Sequence, residues 1–87
     1  MEQKKFKIKG TEYTFQKLSN REFIKLQKRC KSGGDIDEEI FYDEIFEHIV
    51  INPKISLDDD IPFDTLDEVA KQAMMFQRGA RKSKARS

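Results

Sequence analysis

The sequence predicts a small α+β domain that is mainly helical: a short N-terminal β-hairpin, three helices and a flexible C-terminal tail. Three observations predict it. Residues 5–15 alternate polar and apolar with period two, and three later segments place apolar residues at helical spacing. The last eight residues carry no apolar side chain larger than alanine, so nothing there repays the cost of ordering. The 87 residues suit one domain, assigned to 1–79, followed by a disordered basic tail at 80–87. A chain of this length buries only about 60–65% of the area its unfolded form exposes.

The hairpin rests on Lys5-Phe6-Lys7-Ile8-Lys9, resumed by Tyr13-Thr14-Phe15 after Gly10-Thr11-Glu12. The alternation puts Phe6 and Ile8 on one face and lysines on the other. Gly10 supplies the turn, where a positive φ costs it nothing. Two strands alone are marginal in water, so the hairpin must pack on the helices or join another sheet.

The first helix is expected over 20–32. Ser19 caps it, Glu22 stands three residues later, and Leu18 with Phe23 forms a hydrophobic staple. Its inward face is Phe23, Leu26 and Cys30, and Gly33-Gly34 ends it. The second helix is expected from Glu38 to about Ile51, capped by Asp37 and stopped by Asn52-Pro53. Its wide apolar stripe (Phe41, Tyr42, Ile45, Phe46 and Ile49) suits a helix with more than one neighbour. Residues 54–63 read as irregular. A third helix opens at Asp64 or Thr65 and runs to about Arg78, with Leu66, Val69, Ala73 and Phe76 inward and Gly79 closing it.

The formal net charge of +1 hides a polarity. Residues 1–31 hold ten basic and three acidic side chains, residues 32–77 two and thirteen, and residues 78–87 five and none. A basic head, an acidic middle and a basic tail can steer association and set its register. One cysteine excludes an internal disulfide framework, and a lone histidine argues against a Cys/His zinc site. No apolar run approaches the ~20 residues of a membrane span, and no apolar stretch follows the first lysines as in a signal peptide. The expected compartment is the reducing cytoplasm.

Chemistry-bearing residues are sparse. Asp58-Asp59-Asp60 lacks the glycine and the spacing of a calcium loop, so it reads as an acidic turn. Glu44 and Glu47 beside His48 lack a cleft, and Cys30 follows the apolar periodicity with no base in view. The expectation is no enzyme, no metal and no cofactor. Met74, Met75 and Phe76 are more informative, because one of the three must leave a single helical face. Methionines beside an aromatic suit adaptable binding surfaces. With Tyr42 and Phe46 from the wide stripe they form the candidate partner-binding set, an apolar groove flanked by opposite charges. Candidate electrostatic contacts are Lys25, Lys28 and Arg29 on the first helix, with Arg81, Lys82, Lys84 and Arg86 in the tail. The acidic middle would repel a duplex, which argues against nucleic acid as the main partner.

The order of features also resembles a known family. A lysine-rich start leads to Gly10-Thr11-Glu12-Tyr13-Thr14-Phe15, then Leu18-Ser19-Asn20-Arg21-Glu22 and a helix. An acidic helix ends in Val50-Ile51-Asn52-Pro53-Lys54, and Asp58-Asp59-Asp60 precedes a third helix closing on Phe76-Gln77-Arg78-Gly79. Over about residues 5–79 this resembles the small tail assembly chaperones of long-tailed bacteriophages and their prophages. The resemblance implies a mostly helical, non-enzymatic protein in the host bacterial cytoplasm. It would bind the helix-rich tape measure protein before tube subunits polymerise, and leave the finished tail. It also implies self-association and a frameshifted longer form whose extra domain recruits the major tail protein. Two other readings stand beside it: a small nucleic-acid-associated regulator, and a structural tail or head-completion component.

Overall fold

The computed structural model describes residues 2–79, so the basic segment 80–87 lies outside the described residues. Strands β1 (Gln3–Ile8) and β2 (Thr11–Gln16) form the N-terminal hairpin in antiparallel register, with Phe6 opposite Tyr13 and Ile8 opposite Thr11. The turn is tighter than the sequence suggests. Only Lys9 and Gly10 connect the strands, both at positive φ (50° and 86°), the pattern of a type I′ turn. Thr11 and Glu12 therefore belong to β2 rather than to the loop.

Helix α1 (Asn20–Arg29) begins where the cap predicts: the Glu22 N–H donates to the Ser19 hydroxyl at 3.2 Å. It ends three residues before the expected 32. Gly33-Gly34 does not close it. The two glycines, at φ 63° and 93°, instead turn a second small hairpin of β3 (Lys31–Ser32) and β4 (Asp35–Ile36). A glycine pair satisfies a helix end and a two-residue turn equally well, since both need positive φ. The Asp37 N–H donates to the Cys30 carbonyl at 2.7 Å and closes the base of this hairpin.

Helix α2 (Glu38–His48) is capped as expected, with the Asp37 carboxylate accepting from the N–H groups of Glu39 and Ile40 at 3.0 and 3.3 Å. It stops before the expected 51. The β-branched pair Val50 and Ile51 leaves the helix to form β5 (Val50–Asn52), which pairs antiparallel with β2 across a bulge. The sheet order is β1-β2-β5, so the predicted hairpin is the larger part of a three-stranded sheet.

Helix α3 (Phe63–Arg78) starts one residue before the earlier of its expected starts. Pro62 stands at its cap position without a side-chain hydrogen bond, and Gly79 ends it in the left-handed conformation at φ 74°. Its small residues Ala70 and Ala73 are buried alongside Val69, which lets the helix approach its neighbours closely. Phe76 reaches the sheet, with ring centroids 5.7 Å from Phe6 and 6.3 Å from Phe15, while Phe6 stacks on Phe15 at 5.0 Å. Leu26 from α1 and Ile45, Phe46 and Ile49 from the α2 region complete one core. Gln77 is buried within it. Its amide accepts from the Leu18 N–H at 2.7 Å and donates to the Leu18 carbonyl at 2.9 Å, tying the chain before α1 to the end of α3. Among the described residues no helix is long and apolar enough to cross a membrane.

Candidate functional site

An apolar groove of about 380 Å³ lies between the end of α3 and the β3–β4 hairpin. Its floor is Cys30, whose 1% exposure bears out the small-hydrophobe reading. Burial pushes the Cys30 thiol up, and the Glu44 carboxylate acts in the same direction, which disfavours the thiolate. Ile36 on the hairpin, Phe41 on α2 and Met74 on α3 form the walls. Gln27 borders it from α1, and Lys31 and Arg78 are the charged residues of the lining. Both are cations, so the expected flanking by opposite charges gives way to a rim of one sign.

The hairpin that the sequence reading missed is what builds this groove. It holds Ile36 out at 60% exposure, where a helix running through 32 would have carried the chain elsewhere.

Phe41 also leads into an aromatic strip. Its ring lies 5.8 Å from Tyr42, and Tyr42 stands 5.7 Å from Phe63 and 6.0 Å from Phe46. The Tyr42 hydroxyl donates to Asp67 at 2.8 Å across the α2–α3 contact. Desolvation and then that carboxylate acceptor push the Tyr42 phenol up to about 12. Phe63 is 62% exposed, although it was not among the predicted binding residues. Its sequence signal was weak: an aromatic between Pro62 and Asp64 reads as a helix start, and only the tertiary packing shows what it leaves uncovered.

The five predicted partner-binding residues divide. Met74 lines the groove, Tyr42 joins it through Phe41, and Met75 is exposed outside it. Phe46 and Phe76 lie in the core, at 2% and 9% exposure, because α2 and α3 turn their apolar stripes toward each other and the sheet; for Phe76 this is the inward place its helical phase also predicted.

The predicted cations divide as well. Lys25 and Lys28 are exposed on α1. Arg29 is not free for a partner: its Nε and Nη2 lie 2.9 and 2.8 Å from Glu44 Oε1, and that bond holds the guanidinium above its ordinary value. His48 Nε2 approaches the same oxygen at 3.3 Å. Arg81, Lys82, Lys84 and Arg86 lie outside the described residues.

The remaining acids are dispersed. Asp59 accepts from the Ser56 N–H at 2.9 Å, the turn-forming role read from the sequence. A hollow of about 270 Å³ runs past Asp43, Glu44 and Glu47 beside Phe46 and Ile55. Among the described residues no group of three or more His, Cys, Asp or Glu side chains is placed to hold a metal ion. Comparison with protein-family models, with curated proteins and with solved structures returns no match for this chain.

Proposed function

We propose that this chain is a non-enzymatic assembly chaperone that covers an apolar segment of a larger, helix-rich partner. The observation that supports it is the open groove walled by Ile36, Phe41 and Met74 on a chain that is 38% charged. Uncovered apolar concavities on so polar a surface mark places where another protein fits. Combined with the order of sequence features, this favours the tail assembly chaperone of a long-tailed phage or prophage, with the tape measure protein as principal partner. The chaperone acts in the host cytoplasm, needs no cofactor, self-associates, and in a frameshifted longer form meets the major tail protein. Its mechanism is shielding: the partner's apolar residues are held out of water until tube subunits replace the chaperone.

Coexpression with a candidate tape measure protein tests the reading. Capture of that protein on the tagged chain is the expected result. No association at low or moderate salt overturns it. Salt-sensitive retention on DNA that disappears when residues 80–87 are removed would transfer the assignment to a nucleic-acid-associated regulator. Recovery of the chain from purified mature particles would make it a structural component.

A further inference from the structure

The walls of the groove come from a hairpin and two helices, and its floor is the buried side chain of Cys30. Its charged residues, Lys31 and Arg78, are exposed and enter no ion pair among the described residues. Three other cations are ion-paired, Lys9 with Asp64 at 3.0 Å, Lys17 with Glu2 at 3.8 Å and Arg29 with Glu44 at 2.8 Å, so what distinguishes Lys31 and Arg78 is their place on the groove lining rather than the want of a partner. After Arg78 the sequence adds Arg81, Lys82, Lys84 and Arg86 and no acid. The lining of an apolar slot thus carries positive charge with no carboxylate beside it among the described residues.

The geometry points to one occupant: an amphipathic partner helix whose apolar ridge enters the groove and whose flanking carboxylates meet Lys31 and Arg78. This rests on the chaperone reading and specifies the chemistry of the segment recognised. A helix fits better than an extended peptide. β3 and β4 have only two residues each, too short to offer a ladder to an added strand, whereas side-chain walls accept ridges at i, i+3, i+4 and i+7. Met74 adapts its unbranched thioether to differently shaped ridges. The rim cations select acidic flanks and repel basic ones, acting on register and encounter rate.

The test uses the full chain and two labelled helical peptides with the same leucine ridge, one flanked by Glu and the other by Lys. The Glu-flanked peptide is expected to bind about tenfold more tightly at low salt. That gap narrows as salt rises. The double variant Lys31→Glu with Arg78→Glu reverses the order. Ile36→Glu, at a position exposed enough to keep the fold, weakens both peptides while the far-UV circular dichroism stays unchanged. Equal affinities, an order unaltered in the double variant, or no binding overturns the inference. So does a concentration-dependent dimer that Ile36→Glu dissolves, which would give the groove to a second copy. Equal capture of the tape measure protein by the wild type and the double variant removes the groove's role and leaves the chaperone reading standing. Peptide discrimination without that capture upholds the groove and removes the chaperone reading.

Discussion

Two aromatic clusters in this protein share a chemistry and differ in what they face. Phe6, Phe15 and Phe76 close the contact between the sheet and α3, with Phe15 wholly buried. Phe41, Tyr42 and Phe63 link α2 to the start of α3, yet Phe63 remains 62% exposed and Tyr42 keeps a polar bond to Asp67. The first cluster has spent most of its apolar area on folding, with Phe6 half-buried at its edge. The second retains part of that area for something outside the chain.

The strongest way to break this contrast is Phe15→Ala. Truncating a fully buried ring removes burial and leaves a cavity, so denaturant unfolding is expected to show a loss of about 3–5 kcal/mol. A loss below about 1 kcal/mol would mean that the sealed cluster is not the centre of the fold.

Gln77→Ala comes next, at about 2 kcal/mol, because it strands the Leu18 N–H and carbonyl beside the core. Denaturation midpoints measure it, and Gln77→Glu is expected to recover little, since a carboxylate cannot donate to the Leu18 carbonyl.

Tyr42→Phe sharpens the open side, costing about 1 kcal/mol for the lost bond to Asp67. Its pH signature is more specific. The folded phenol titrates at about 12, against about 10 when unfolded. The neutral form is therefore the one the fold favours. Its contribution is complete below pH about 10 and lost as pH rises through about 12. Stability of the wild type should fall across that window more steeply than that of Tyr42→Phe, and parallel curves would contradict the raised phenol, to which burial contributes first and the Asp67 bond second.

Phe63→Ser is expected to cost less than about 1 kcal/mol, chiefly its edge-to-face contact with Tyr42. A larger loss by the same denaturant assay would move Phe63 from the open surface into the structural core. The smallest effect lies at an exposed pair. The Lys9 ammonium, hydrogen-bonded to Asp64, holds that carboxyl below its ordinary value. An NMR titration of Lys9→Met should find it raised, with unfolding unchanged.

Sequence and structure agree where the signal is local. Ser19 and Asp37 cap their helices, Gly79 ends the last, and the alternation around Phe6 and Phe15 forms a hairpin. Each of these depends on residues within a turn or two of chain. The same locality produced the errors. Gly33-Gly34 fits a helix end and a hairpin turn, and Val50-Ile51 continues a helical stripe as readily as it starts a strand. The candidate site was less legible still: Met74 was visible as an ambiguity of helical phase, whereas Ile36 and Phe63 gained importance only from what failed to cover them.

The sequence by itself determined the three helical segments to within a few residues, the caps at Ser19, Asp37 and Gly79, the first hairpin and the uneven distribution of charge, because hydrogen bonding and periodicity act over a few residues. Tertiary structure alone decided that Val50–Asn52 pairs with β2, that Gln77 holds Leu18, and that the β3–β4 hairpin opens a cation-rimmed apolar groove beside α3. These features depend on groups distant along the chain being brought together. Their free energy comes from desolvation and pairing that no single segment contains.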